Sequence, residues 1–240
     1  MVESMQSTAP SVSSLYVGRL VAVGQTTAGR NAILYRISSR SFADRRIILT
    51  TSSATVFPLE GHESDIYRNP YIFYQAAAVT SQWALFTNGS HTDSIASKLS
   101  RGTPPRDALA ATLLAYDYEA DSYSTPRIAA LLPHEGSVAW LAIVAPKLIT
   151  VQEVSLRPGE CVYTATYERD RIALDQTLPL LGSTALQIAY DTISAAAYGH
   201  FSHPVAAISA VATPDGFELG THTIPTTDPS SIHASSGSGQ

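Results

Sequence analysis

The chain has 240 residues, a formal net charge of −5, 45% hydrophobic and 15% charged residues, a balance that suits one globular α/β or α+β domain with a sizeable core and excludes a disordered chain. The acidic balance excludes non-specific nucleic-acid binding, which needs a basic face, but allows an anionic small molecule in a locally positive pocket. Cys161 is the only cysteine, so neither an intramolecular disulfide nor a thiolate zinc site can form. No apolar run reaches the eighteen or so residues of a membrane span.

Residues 1–14 are rich in Ser, Thr and Pro. They lack the basic start and apolar centre of a secretory signal, and are expected to be a disordered lead-in to a soluble cytoplasmic protein. A single domain is expected over 15–224, with a disordered tail over 225–240. Two β-branched runs, 15–23 and 32–37, read as strands joined by the turn Gln25-Thr26-Thr27-Ala28-Gly29-Arg30-Asn31. The second strand runs into Arg36-Ile37-Ser38-Ser39-Arg40-Ser41-Phe42. In an extended segment Arg36, Ser38 and Arg40 share a face, which suits a dianionic phosphate. The plainer alternative is a solvated strand face.

A strand at 54–57 precedes Glu60-Gly61-His62 and Tyr67-Arg68-Asn69-Pro70. Pro70 drives Asn69 away from helical geometry, so this cluster reads as a loop entering a strand over 71–80. The run Trp83–Thr87 ends in Asn88-Gly89-Ser90-His91-Thr92-Asp93, the densest group of donors and acceptors in the chain. Asp93 is expected to cap a helix over 94–100, whose N-terminal N–H groups favour an anion. His62 and His91 stand in no metal-ligand spacing, so no metal site is expected.

Pro104-Pro105 opens a longer helix with Ala108, Leu109, Thr112, Leu113 and Tyr116 on one stripe. Asp117 and Glu119 are expected in its last turn, where the macrodipole disfavours a carboxylate and raises its pKa. Arg127 is a candidate partner for Glu119, whereas Tyr116 and Tyr118 read as packing residues. Four further strands are expected at 127–132, 138–144, 148–154 and 162–167. Ser183 is a candidate cap for a helix carrying Leu186, Ile188, Ile193 and Ala197, ending at Gly199. A hairpin over 205–211 and 216–224 closes the series. Many strands and few helices point to stacked sheets covered by helices. No phosphate loop, nucleophile elbow or dinucleotide fingerprint occurs.

In order along the chain, Tyr16-Val17-Gly18-Arg19, the segment from Tyr35 to Phe42, Glu60-Gly61-His62, Arg68-Asn69-Pro70-Tyr71-Ile72 and the Asn88–Asp93 hexapeptide resemble the archaeal-type IMP cyclohydrolase family. Asp117-Tyr118-Glu119, Thr125-Pro126-Arg127-Ile128-Ala129-Ala130, Thr166-Tyr167-Glu168 and His203-Pro204-Val205 continue the likeness, which spans roughly 15–211 and loosens between 168 and 202. The resemblance implies an α+β, four-layer α-β-β-α sandwich of two mainly antiparallel sheets, like that of N-terminal nucleophile hydrolases. A terminal nucleophile is not expected to act, because the chain starts Met1-Val2-Glu3.

The implied reaction is closure of the purine ring by a cyclohydrolase, a hydrolase of the type acting on carbon–nitrogen bonds in cyclic amidines. It needs no metal and no cofactor. Implied roles follow: Tyr67, Glu119 and Arg40 in catalysis, with Arg36, Ser38, Ser39, Arg68, Asn69, Asn88, Gly89, His91, Thr92 and Arg127 binding the purine-precursor ribonucleotide. Arg36 and Arg40 take its phosphate, and a homo-oligomer is implied. Two alternatives stand beside it: a purine-ribotide-binding protein without turnover, and an Ntn-type amide hydrolase.

Overall fold

The computed structural model describes residues 14–167 and 171–225. Apart from Ser14 and Pro225, the expected lead-in and tail lie outside the described residues, as does Glu168. In chain order the elements are β1 (Arg19–Gln25), β2 (Asn31–Ser38), β3 (Arg45–Leu49), β4 (Ser53–Pro58), the one-turn helix α1 (Asp65–Arg68), β5 (Tyr74–Val79) and β6 (Trp83–Thr87). Then come α2 (Thr92–Ser100), α3 (Pro105–Tyr116), β7 (Arg127–Pro133), β8 (Val138–Ala145), β9 (Leu148–Ser155), β10 (Glu160–Ala165), β11 (Thr177–Pro179), α4 (Ala185–Ser194), β12 (Pro204–Thr213) and β13 (Gly216–Thr223). One sheet has the order β11-β10-β1-β2-β12-β13 and the other β3-β4-β5-β6-β7-β8-β9. Neighbouring strands within each sheet pair antiparallel.

Strand alternation sorts the apolar side chains into three layers. On β2, Ile33, Tyr35 and Ile37 enter the core between the sheets, while Ala32 and Leu34 pack outward with Ala185 and Ile188 of α4. On β7, Ile128, Ala130 and Leu132 face the same central core, and Ala129 and Leu131 meet Ile95, Leu109 and Leu113 of α2 and α3. The central strands are therefore buried on both faces, which is why they read as continuous apolar runs. Each fully buried Leu or Ile contributes roughly 1.5–3 kcal/mol of transfer free energy. The result is the α-β-β-α sandwich that the sequence resemblance implied. Among the described residues no helix is long and apolar enough to cross a membrane.

Several local expectations are corrected. Pro70 opens a 3₁₀ turn over Pro70–Ile72, with Asn69 Oδ1 accepting from the Tyr71 N–H, so β5 begins only at Tyr74. Helix α2 starts at Thr92 with Asp93 inside its first turn and no side-chain cap bond. Thr184, not Ser183, caps α4 by accepting from the Gln187 N–H. Helix α3 ends at Tyr116, and Asp117 turns the chain out of it with φ 54°. Glu119 is therefore in the following loop, not the last helical turn.

Candidate active site

The end of β6 is tied to β7 by the side chain of Asn88, whose Nδ2 donates to the Pro126 carbonyl at 2.9 Å and whose Oδ1 accepts from the Ile128 N–H at 2.8 Å. The Thr92 hydroxyl donates to the Gln75 carbonyl at 2.6 Å and lies 2.5 Å from the Thr87 hydroxyl. Both side chains thus shape the turn that carries Gly89. A Cβ built on Gly89 stands 2.7 Å from Arg127 Nη1 and 3.4 Å from both Glu119 Oε1 and His91 Nδ1. The three side chains converge on that one point.

Each of them brings a buried polar atom with no hydrogen-bond partner: Arg127 Nε and Nη1, Glu119 Oε1 and His91 Nδ1. The Arg127–Glu119 ion pair is long, at 3.7 Å. Buried polar groups are almost always paired, so a cluster of unpaired ones aimed at shared space marks a functional site. His91 Nε2 lies 3.1 Å from the Ile128 carbonyl, which can only accept; Nε2 therefore carries the proton and Nδ1 presents a lone pair. Burial, then the Arg127 charge, holds the imidazole down to about 3, so the ring is neutral at physiological pH. Glu119, 1% exposed, is pushed up to about 7. Burial is the main cause, opposed by Arg19 and Arg127 and assisted by Asp121. The upward direction matches the sequence expectation, but its cause is desolvation and not a helix dipole.

Behind this cluster lies a second group that sequence reasoning missed as site residues. Arg19 shares strand phase with Val21 and Val23, so its side chain enters the space between the sheets, and Arg45 is 1% exposed. Arg19 Nε and Arg45 Nη1 are also buried without partners. Burial and the neighbouring Arg19 bring the Arg45 guanidinium down to about 10, still protonated at neutral pH. The hydroxyls of Tyr35 and Tyr74 meet at 2.5 Å, close to both arginines. Three buried guanidiniums act on a single carboxylate, Glu119, which leaves the interior positive and suited to an anionic or oxyanionic ligand. The signal was available: an arginine and two tyrosines in phase with apolar strand residues.

Arg40 lies in a different setting. Its guanidinium covers the Tyr16 ring at 4.0 Å, and Tyr16, Arg40, Ser41, Tyr123 and Tyr167 line a cleft of about 280 Å³. Tyr16 stacks on Tyr167 at 5.6 Å, and the Tyr167 hydroxyl is 2.8 Å from that of Thr125. Arg19 acts electrostatically on both Tyr167 and Glu119, which relates this cleft to the inner cluster.

The shared face expected for Arg36, Ser38 and Arg40 does not form as a ligand site. Arg36 alternates with Tyr35 and points outward; its guanidinium donates to the carbonyls of Thr192 and Phe201 and, at 3.1 Å, to Ser38 Oγ. Strand β2 ends at Ser38, and Arg40 follows beyond it. Ser39 Oγ accepts from the Phe42 N–H. Nor does the structure bring Tyr67 to the buried Glu119: Tyr67 is 93% exposed on α1. Arg68 pairs in solvent with Asp65 at 3.4 Å, and the Asn69 side chain serves its own turn. Tyr71 and Tyr116, one from that segment and one read as packing, instead flank the Arg127 guanidinium at 5.9 and 5.7 Å.

Residues 16–216 match a family profile described as IMP cyclohydrolase-like protein. The chain is similar to the curated IMP cyclohydrolase of Methanococcus aeolicus, with 39% identity over 209 residues, covering 86% of this chain and all of the relative. It is 38% identical to that of Methanocaldococcus jannaschii, covering 86% of this chain and 98% of the relative. Against that of Methanocella arvoryzae the identity is 40%, with 88% and 100% covered.

Proposed function

The chain belongs to the IMP cyclohydrolase-like protein family, and on that premise we propose that it is an IMP cyclohydrolase. It closes the ring of 5-formamidoimidazole-4-carboxamide ribonucleotide to inosine monophosphate with loss of water, the last step of de novo purine biosynthesis. The observation that supports this reading of the site is the convergence of Arg127, Glu119 and His91 around Gly89.

Ring closure needs a weakly nucleophilic carboxamide nitrogen to attack the formyl carbon. The attacking nitrogen loses a proton as the new C–N bond forms, and the formyl oxygen becomes an alkoxide. Protonation gives a carbinolamine, which expels its hydroxyl as water while the formamido nitrogen gives up its own proton. Two proton removals and two deliveries balance, so one group that titrates near neutrality can serve both halves. Glu119 has that property. Arg127, with unpartnered Nε and Nη1, stabilises the developing oxyanion. The His91 Nδ1 lone pair accepts from the carboxamide N–H that stays, fixing the attacking amide. Tyr74 takes the place that Tyr67 was expected to fill, as a buried phenol beside Arg19 and Arg45. Arg40, with the Tyr16 and Tyr167 rings, holds the 5′-phosphate at the mouth.

The test is incubation with the formamido ribotide, following inosine monophosphate by absorbance for wild type and Glu119→Gln. Stoichiometric binding without turnover by the wild type makes the protein a ribotide binder and overturns the reading.

A further inference from the structure

The loop between α3 and β7 carries Glu119 at one end of a hydrogen-bonded chain and Tyr123, which lines the cleft, near the other. Asp121 lies between them. Its Oδ1 accepts from the Tyr123 and Thr125 N–H groups at 3.1 and 2.9 Å, and its Oδ2 accepts from the Thr125 hydroxyl at 2.7 Å. Thr125 in turn receives the Glu119 N–H on its carbonyl at 2.8 Å. Its hydroxyl is also 2.8 Å from that of Tyr167. The loop is bounded by Asp117 and Ser124, with φ of 54° and 50°, conformations that non-glycine residues hold only when their surroundings impose them. One carboxylate therefore clamps the residue that fixes both the Glu119 backbone and the Tyr167 hydroxyl.

The geometry points to Asp121 as a positioning residue for Glu119, holding its carboxyl at the reaction point and coupling it to Tyr167 in the cleft. This rests on the ring-closure reading above. Asp121 also belongs to the charges, among the described residues, that act on Glu119 through space. Those are Arg19 from β1, Arg45 from β3, Arg127 from β7 and Asp121 from its own loop, with the neutral His91 ring facing the same point from the turn after β6. Among the described residues Asp121 is the one negative charge in that set, so it favours the protonated carboxyl against three guanidiniums.

Asp121→Asn separates the roles, since the amide oxygen can still accept from the two N–H groups while the charge and the second carboxylate oxygen are lost. Two readouts are needed: the pH dependence of kcat for ring closure, and a ¹³C NMR titration of the Glu119 carboxyl, identified by the signal missing in Glu119→Gln. Removing a like charge moves the Glu119 midpoint to lower pH in both readouts, whether Glu119 acts as acid or base. We expect a shift of several tenths of a pH unit or more, kcat three- to thirtyfold lower and KM within about twofold. Asp121→Glu returns the charge on a longer stem, so its midpoint returns toward wild type while kcat stays depressed. An unmoved NMR midpoint in Asp121→Asn, or a change in KM with normal kcat, overturns the inference. A wild-type protein without ring-closing activity overturns the functional reading instead, and the NMR titration still decides the electrostatic role of Asp121.

Discussion

Gly89→Ala adds one methyl group at the point where the site converges. Gly89 has no left-handed φ, so the backbone accepts alanine and the whole effect is steric. The new Cβ meets Arg127 Nη1 at 2.7 Å, and ordinary contact begins at 3.4 Å, where Glu119 Oε1 and His91 Nδ1 already stand. The guanidinium must retreat because the other two leave no slack, and it is itself buried and flanked by Tyr71 and Tyr116. Overpacking a close-packed site costs about 1–3 kcal/mol, which for a chain of this size lowers the melting temperature by about 2–4 °C per kcal/mol. Misplacing a catalytic group by a fraction of an ångström up to 1 Å costs on the order of 10²-fold in rate. We therefore expect kcat for ring closure to fall about a hundredfold while most of the protein stays folded at 25 °C. Steady-state kinetics with a thermal melt checks both. A Gly89→Ala enzyme with wild-type kcat refutes the argument that Arg127, Glu119 and His91 act at a common point.

Glu119→Gln should lower kcat by about 10²–10⁴ with KM changed far less, as expected for a lost proton-transfer group; equal loss in KM alone reassigns it to binding. Tyr74→Phe should lower kcat by tenfold or more, whereas the exposed Tyr67, as Tyr67→Phe, should stay within about twofold; the reverse order in the same assay returns Tyr67 to catalysis. Arg36→Ala leaves the Thr192 and Phe201 carbonyls without their donors and should destabilise the fold by about 2–5 kcal/mol in urea denaturation, with KM for the nucleotide little changed in the folded fraction. A large KM increase at normal stability returns Arg36 to the phosphate site. His91, at about 3 when folded, binds no proton in the range where the unfolded imidazole does. Its contribution is complete above an unfolded pKa near 6.5 and declines as pH falls toward 3, by up to about 1.4 kcal/mol per pH unit. Glu119 has the opposite sign between 4.5 and about 7, so the comparison is His91→Gln against wild type at pH 7.5 and 5. An identical pH dependence in the two proteins contradicts the buried neutral imidazole.

The layer structure could be read from the chain because strands buried on both faces leave unmistakable apolar runs. Trp83–Thr87 matched in the structure to the residue, and the β12–β13 hairpin nearly so. Strands β3 and β11 were missed; Arg45-Arg46 opens the first and the second has three residues, so neither shows an apolar period. Within the site, the Asn88–Asp93 turn and Glu119 were visible as polar islands between apolar segments. Which side each polar residue takes was harder to see. Arg36 and Arg19 both sit in strands, and only the phase relative to Val21 and Tyr35, together with knowledge of which face looks at the other sheet, sends one outward and the other inward. Tyr67 and Tyr74 were separable only once the 3₁₀ turn at Pro70 was known to delay β5.

Asn88 and Gly89 form the dipeptide most prone to spontaneous deamidation, in which the following backbone nitrogen attacks the amide carbon through a succinimide. Here the amide is held by the Pro126 carbonyl at one end and by the Ile128 N–H of β7 at the other, and the Gly89 nitrogen is directed at Thr87 Oγ1 at 3.4 Å. Attack would have to break these side-chain bonds while the turn is intact. Conversion to aspartate would replace the donor to the Pro126 carbonyl with a second acceptor, so the damage, once done, resists refolding of the same turn. The hydrogen bonds that set Gly89 at the reaction point are therefore also the ones that restrain the most labile amide of the turn.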